Sequence, residues 1–228
     1  MAKIDFAHKA QRKMFEAILD SVIKHSNSDR TKAIKQLVDL VKKTMYDIWG
    51  SATYEMFGFS SKPDSKWMKY IDNLLNDVHP NIIKAKALNT AYEAGYRGFR
   101  IAQDMKKKHD INIPWIILVD PTSACNLKCT GCWSAEYGHL IQLSYEELDR
   151  IITEGEELGI YAWLMTGGEP LIRKADILKL AEAHPYSSFH IFTNGTLIDD
   201  AFCEEVVRLG NIAPSISLEG FEEVNDLR

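Results

Sequence analysis

A chain of 228 residues can bury one large core or two smaller ones, and 46% hydrophobic with 26% charged residues excludes a disordered chain. No apolar run reaches the ~18 residues that a membrane span needs, and an N-terminus interrupted by Asp5, Glu16 and Asp20 lacks a signal peptide's apolar core; a soluble, cytoplasmic protein is expected. The net charge of −5 hides a division, because residues 1–110 hold 20 Lys and Arg against 13 Asp and Glu while residues 111–228 hold 7 against 19.

That division suggests two units with oppositely charged, solvated surfaces. The basic side chains are spread among apolar helical positions rather than gathered in a patch, so no nucleic-acid surface is expected. Residues 1–110 read as an all-helical N-terminal domain. Phe15, Ile18, Leu19 and Val22 recur at helical spacing, as do Ile34, Leu37, Val38, Val41, Met45 and Ile48. Ser26 to Asp29 separate these two helices and offer caps. Residues 50–61 read as an aromatic loop and 65–78 as a third helix. His79-Pro80 then starts a helix that runs toward Lys108 with a bend near Gly95 and Gly98. These stripes make the core of a small bundle and carry no recognisable chemistry.

From Ile111 the pattern changes. Short apolar runs at 115–119, 161–165, 189–192 and 212–218 predict buried strands, and amphipathic helices fit between them at 145–158, 174–183 and 199–209. Ser144 with Glu147 three residues on predicts a capping box. Strand–helix alternation implies a parallel α/β sheet of βαβ units, with ligands gathering at the C-terminal ends of the strands.

Candidate chemistry falls at those ends. Cys125, Cys129 and Cys132 follow the first strand in a C-x3-C-x2-C run, while Cys203 stands alone beside Phe202 and Val206 and is expected to be a small buried residue. A secreted disulfide framework would distribute its cysteines as pairs. Three thiolates on one short loop can reach three corners of a cubane cluster and leave its fourth iron without a protein ligand. A structural zinc site would want a fourth soft ligand, and an electron-transfer ferredoxin a fourth cysteine. The second strand ends in Gly167-Gly168-Glu169-Pro170, where two glycines allow close backbone approach to a ligand and a carboxylate beside exposed carbonyls suits an ammonium group. The third strand ends in Thr193-Asn194-Gly195-Thr196, and the fourth runs into Ser217-Leu218-Glu219-Gly220.

With four motifs in this order, residues 111–228 resemble the radical SAM superfamily, in particular its molybdenum-cofactor and peptide-maturation members. The resemblance implies a (β/α)6 barrel, of which about four βα units are recognisable, so that 111–228 is expected to be a partial radical SAM barrel, incomplete at its C-terminus. It implies that Cys125, Cys129 and Cys132 ligate a 4Fe–4S cluster and that Gly167, Gly168 and Glu169 hold the amino group of S-adenosylmethionine. Asn194 and Ser217 are weaker candidates for cofactor contact. Reductive cleavage of S-adenosylmethionine to a 5′-deoxyadenosyl radical, hydrogen abstraction from an unidentified substrate and a low-potential donor of flavodoxin or ferredoxin type are further implied.

Two departures from the family pattern stand out. Glu219 occupies a place where aspartate is usual, and Gly131 a place often held by an aromatic that packs on adenine. Trp133 is expected to cover the cluster, and Tyr137 and His139 to be exposed or structural; no catalytic side chain is assigned. A fragment lacking the last strands is expected to bind a cluster and turn over substrate poorly. Alternatives from other classes are an iron–sulfur electron-transfer protein and a zinc-binding interaction module, both of which leave Gly167-Gly168-Glu169-Pro170 unexplained.

Overall fold

The computed structural model describes residues 6–24, 32, 34–36, 38–39, 41–43, 55, 62, 65–134, 138 and 140–227. Helix α1 (Phe6–Lys24) turns Phe15 and Val22 inward. Phe15 meets Leu88 and Tyr92, while Val22 packs with Ile34 and Met68. The described residues between 32 and 43 are helical, as expected. Positions 44–48 and almost all of the expected loop at 50–61 lie outside the described residues; Glu55, which is described, is helical rather than loop. Helix α2 (Lys66–Asp77) starts at Ser65, whose hydroxyl accepts from the Met68 N–H at 3.1 Å, the cap that an orphan first-turn donor needs.

The next helix differs from expectation in its winding. Helix α3 (Pro80–Ala87), with proline in its first turn, passes into a π-helix over Leu88–Gly98 and then into α4 (Phe99–His109). Where a bend was expected near Gly95 and Gly98, the chain widens its turn instead. The widened segment carries Glu93 wholly inside, where His8 and Arg12 reach Oε1 at 2.9 and 2.6 Å and Arg97 reaches Oε2 at 3.6 Å. A buried carboxylate is tolerable only when paired in this way.

Strands β1 (Ile116–Thr122), β2 (Ala162–Gly167), β3 (Ser188–Thr193) and β4 (Ile212–Ile216) form one parallel sheet in the order β1-β2-β3-β4. Helices α5 (Tyr145–Glu157), α6 (Lys174–Ala183) and α7 (Asp200–Leu209) connect them, and a short α8 (Glu222–Asn225) follows. This is α/β architecture with four parallel strands after a helical region, consistent with a partial radical SAM barrel. The capping box forms as expected, with Ser144 Oγ accepting from the Glu147 N–H and Glu147 Oε2 from the Ser144 N–H.

One face of the sheet is packed. Trp163, Met165, Phe189, Ile191 and Ile212 meet Leu148, Ile152, Ile177, Leu180 and Phe202 from the connecting helices. The other face leaves Leu118 and Phe192 at 55% and 43% exposure, so these strands are not buried on both sides as the apolar runs suggested. β1 runs three residues further than expected, through Pro121, because the ladder with β2 is irregular between Val119 and Thr122 and relieves the proline of its missing donor. β4 stops before Ser217. Cys203 is exposed rather than buried. Phe202 and Val206, four positions apart on α7, supply the inward stripe, and Cys203 lies a third of a turn round from Phe202.

The helical region joins the sheet at the N-terminal ends of the strands through polar donors. Asn89 Nδ2 donates to the carbonyls of Pro185 and Ser187, both at 2.9 Å. Lys86 Nζ donates to Ser188 Oγ at 2.7 Å, Asn81 Nδ2 to the Val207 carbonyl at 2.7 Å, and Arg97 to the Tyr161 hydroxyl.

Candidate metal and cofactor site

The cysteine loop leaves the C-terminal end of β1 and is pinned where it begins and ends. The Ser123 N–H donates to the Ile141 carbonyl at 2.7 Å, the Ile141 N–H to Ser123 Oγ at 3.0 Å and the Leu143 N–H to the Pro121 carbonyl at 3.1 Å. Within the loop the Ala124 N–H donates to Thr122 Oγ1, the Cys132 N–H to the Cys129 carbonyl and the Leu127 N–H to Cys125 Sγ at 3.5 Å. Cys125, Cys129 and Cys132 are free thiols of intermediate exposure. With Ser123, Lys128 and Ser134 they line one cavity of about 310 Å³. Gly131 sits at φ 73°, a left-handed backbone that disfavours the aromatic residue expected there by the family pattern.

The glycine turn of β2 lies against this loop. The Gly168 N–H donates to the Thr122 carbonyl at 3.0 Å and the Glu169 N–H to the Ala124 carbonyl at 2.8 Å. A Cβ on Gly168 would stand 2.1 Å from the Ala124 oxygen, so no larger residue fits without moving the cysteine loop. In the structure, then, the close approach expected toward a ligand is first of all an approach to the loop that carries the cysteines.

Glu169 is 1% exposed. Its Oε1 accepts from the Leu171 N–H at 2.9 Å and the Thr193 hydroxyl at 2.7 Å, and its Oε2 from the Asn194 N–H at 2.8 Å. A carboxylate has about four acceptor positions, so this network leaves one.

Asn194 continues the network: its Nδ2 donates to Asn126 Oδ1 at 2.9 Å, across to the cysteine loop. Ser217 is exposed just beyond β4, with its N–H donating to the Thr193 carbonyl at 2.9 Å; β4 is the strand farthest from β1 in the sheet. The fold thus gathers the three cysteines and ties Glu169 and Asn194 to their loop, while Ser217 borders the far side.

A second cavity of about 240 Å³ is lined by Asp120, Trp133, Ser134 and Ile141 among others. Burial raises the Asp120 carboxyl above its ordinary pKa. Trp133, the expected cover, is 57% exposed; Tyr137 and His139 lie outside the described residues. Sequence reasoning assigned no role to Asn126 or Asp120, and it named Thr193 only as part of the motif that ends the third strand. Asn126 is inside the cysteine motif itself, yet its role depends on partners about 70 residues away.

The donor set is three free thiols on one cavity, with one backbone N–H turned to a sulfur. Among the described residues no three His, Cys, Asp or Glu side chains converge as a single-ion site. Three free thiols on one loop and one cavity are the donor type that an iron–sulfur cluster takes.

The family model for the radical SAM superfamily matches residues 119–228. This region of the chain belongs to the radical SAM superfamily. Among its relatives, this radical SAM region is 32% identical over 127 residues to GTP 3′,8-cyclase of Thermodesulfovibrio yellowstonii, a match covering 52% of this chain and 39% of that protein. It is 33% identical over 117 residues to Fe-coproporphyrin III synthase of Methanosarcina barkeri, covering 49% and 29%. A crystal structure of Streptococcus suis SuiB bound to S-adenosylmethionine aligns at a TM-score of 0.48 and 25% identity over 72% of this chain and 39% of that one. The matches therefore span well under half the length of these radical SAM relatives.

Proposed function

We propose that the chain is a radical SAM enzyme whose Cys125, Cys129 and Cys132 hold a 4Fe–4S cluster. The observation that carries this reading is the opening of three free thiols onto one cavity, at the C-terminal ends of parallel strands, against the Gly167-Gly168-Glu169 turn. Bound there, the cluster would supply an open iron for S-adenosylmethionine and the electron that cleaves its sulfonium bond, yielding the 5′-deoxyadenosyl radical that abstracts hydrogen from substrate.

The chain's own groups have separable tasks in this proposal. The Leu127 N–H donates to the Cys125 sulfur and orients it within the loop. Gly167 and Gly168 bring the end of β2 onto the cysteine loop. Glu169 holds the glycine turn to β3 with three of its acceptor positions and offers the fourth to the ammonium group of S-adenosylmethionine. Asn194 and Ser217 border the same strand ends and are the weaker contacts. The electron comes from a low-potential flavodoxin- or ferredoxin-type donor. The printed names of the relatives differ in substrate, so the substrate is left open.

The test is anaerobic iron–sulfur reconstitution followed by electron paramagnetic resonance of the reduced protein, with and without S-adenosylmethionine. The expected outcome is a 4Fe–4S signal that changes when S-adenosylmethionine is added. A cluster indifferent to it would favour an electron carrier, and absence of an iron chromophore would refute the reading.

A further inference from the structure

We propose that Asn126, in the cysteine loop, is a positioning residue that clamps the segment between Cys125 and Cys129 to the end of β3. The inference rests on the cluster-binding reading above and names a determinant of that site that lies outside the thiols and the glycine turn. Three side chains form a closed ring. Asn126 Oδ1 accepts from Asn194 Nδ2 at 2.9 Å, and Asn126 Nδ2 donates to Thr196 Oγ1 at 2.8 Å. The Thr196 hydroxyl donates in turn to Asn194 Oδ1 at 2.7 Å, and the Thr196 N–H donates to the same oxygen at 3.0 Å. Every donor and acceptor role in the ring is consistent.

The ring also has a buried anchor. The Asn194 N–H donates to Glu169 Oε2, and Glu169 is held by Leu171 and Thr193. Asn126 therefore couples the cysteine loop to the buried carboxylate of the glycine turn through one intervening residue.

The mechanical need is plain. The loop from Ser123 to Ile141 is fixed where it starts and where it returns, and Cys125 and Cys129 follow the first of these attachments in the chain. A second attachment at Asn126 removes conformational freedom from that stretch before any cluster arrives, so less ordering entropy is lost when it binds. Position 126 must both accept from Asn194 and donate to Thr196, and only an amide of this length does both. Aspartate is isosteric but has no donor for Thr196.

The experiment uses the full 228-residue chain and two readouts. One is the rate at which an iron chelator strips the reconstituted protein; the other is the rate of iodoacetamide alkylation of each cysteine in the reduced, cluster-free protein, resolved by mass spectrometry. Asn126→Ala is expected to speed iron loss on the order of tenfold, the factor expected for losing the ring's hydrogen bonds. It is also expected to accelerate alkylation at Cys125 and Cys129 while leaving exposed Cys203 unchanged. Asn126→Asp and Thr196→Val should act in the same direction, and Thr196→Ser, which keeps the hydroxyl, should behave as the parent. The Asn126→Ala/Thr196→Val double variant should be no worse than either single one, because both open one ring.

Rates in Asn126→Ala and Thr196→Val within about twofold of the parent, or fully additive effects, would overturn the clamp. If the parent chain assembles no cluster, the functional reading fails, and the alkylation rates still decide the clamp by themselves.

Discussion

At the scale of single residues, Glu169 shows how one carboxylate can be structural and chemical together. It is buried, and burial of an ionised carboxylate costs several kcal/mol unless hydrogen bonds replace water. Leu171, Thr193 and Asn194 provide those bonds on the two oxygens. A glutamine can keep an oxygen toward Leu171 and Thr193, but its NH₂ group then faces the Asn194 N–H, donor against donor. Glu169→Gln is therefore expected to lower the unfolding free energy by about 2 kcal/mol, the cost of a buried unsatisfied donor and a lost charge-assisted bond. Urea unfolding with an unchanged m-value would show it; parent-like stability would mean that the network contributes nothing net. Glu169 was legible as a site residue from its place after two glycines. Its burial was not, because Thr193 and Asn194 are more than twenty residues away and nothing local marks them as its partners.

At the scale of elements, the helices and strands of the α/β half were legible where local signals agree. The capping box at Ser144 fixes the start of α5, and short apolar runs mark the four strands. The extension of β1 through Pro121 was not legible, since proline removes a ladder donor; it is accommodated because β1 is an edge strand whose pairing with β2 is irregular there. Nor was the π-helix, whose Gly95 and Gly98 suggested a bend rather than a widened turn.

A second tie between elements was equally hidden. His184, directly after α6 and 3% exposed, places Nδ1 3.2 Å from Glu156 Oε1 and Nε2 3.3 Å from Asp149 Oδ1, both on α5. Burial alone would lower its pKa, but the Glu156 hydrogen bond and charge, and then those of Asp149, outweigh it and raise the pKa above 6.5. As imidazolium both ring nitrogens donate; as neutral imidazole one of them turns a lone pair toward a carboxylate. The raised folded pKa means that this contribution is fully present below the unfolded value of about 6.5 and is lost as pH rises through the folded value. The stability difference between the parent and His184→Asn, read from thermal unfolding at a series of pH values, is expected to be largest below about pH 6.5 and to shrink as pH rises. A difference that is constant with pH would show that the two carboxylates do not hold the proton.

At the scale of the molecule, the two ends of the sheet are given to different work. The cysteines, the glycine turn and the Asn126 ring sit at the C-terminal strand ends, and the helical region holds the N-terminal ends. The two halves carry opposite net charge, expected to lie on solvated surfaces, and among the described residues the hydrogen bonds between them are of another kind. Lys86, Asn81, Asn89 and Arg97 donate to carbonyl and hydroxyl oxygens of the acidic half, not to its carboxylates. Such contacts depend on geometry rather than net charge, and salt should loosen them little. Asn89 is the most connected: fully buried, it donates to the Pro185 and Ser187 carbonyls and accepts from Arg12 at 2.7 Å. Asn89→Ala strands the Arg12 donor and removes a partner from each carbonyl, and is expected to cost about 2 kcal/mol of unfolding free energy. Because the substitution lies at the opposite end of the strands from the thiols, the electron paramagnetic resonance signal of a reconstituted cluster should keep its shape. Loss of stability with an unaltered signal would separate scaffold from site; an altered signal would mean that the packing of the helical region reaches through the sheet to the cysteine loop.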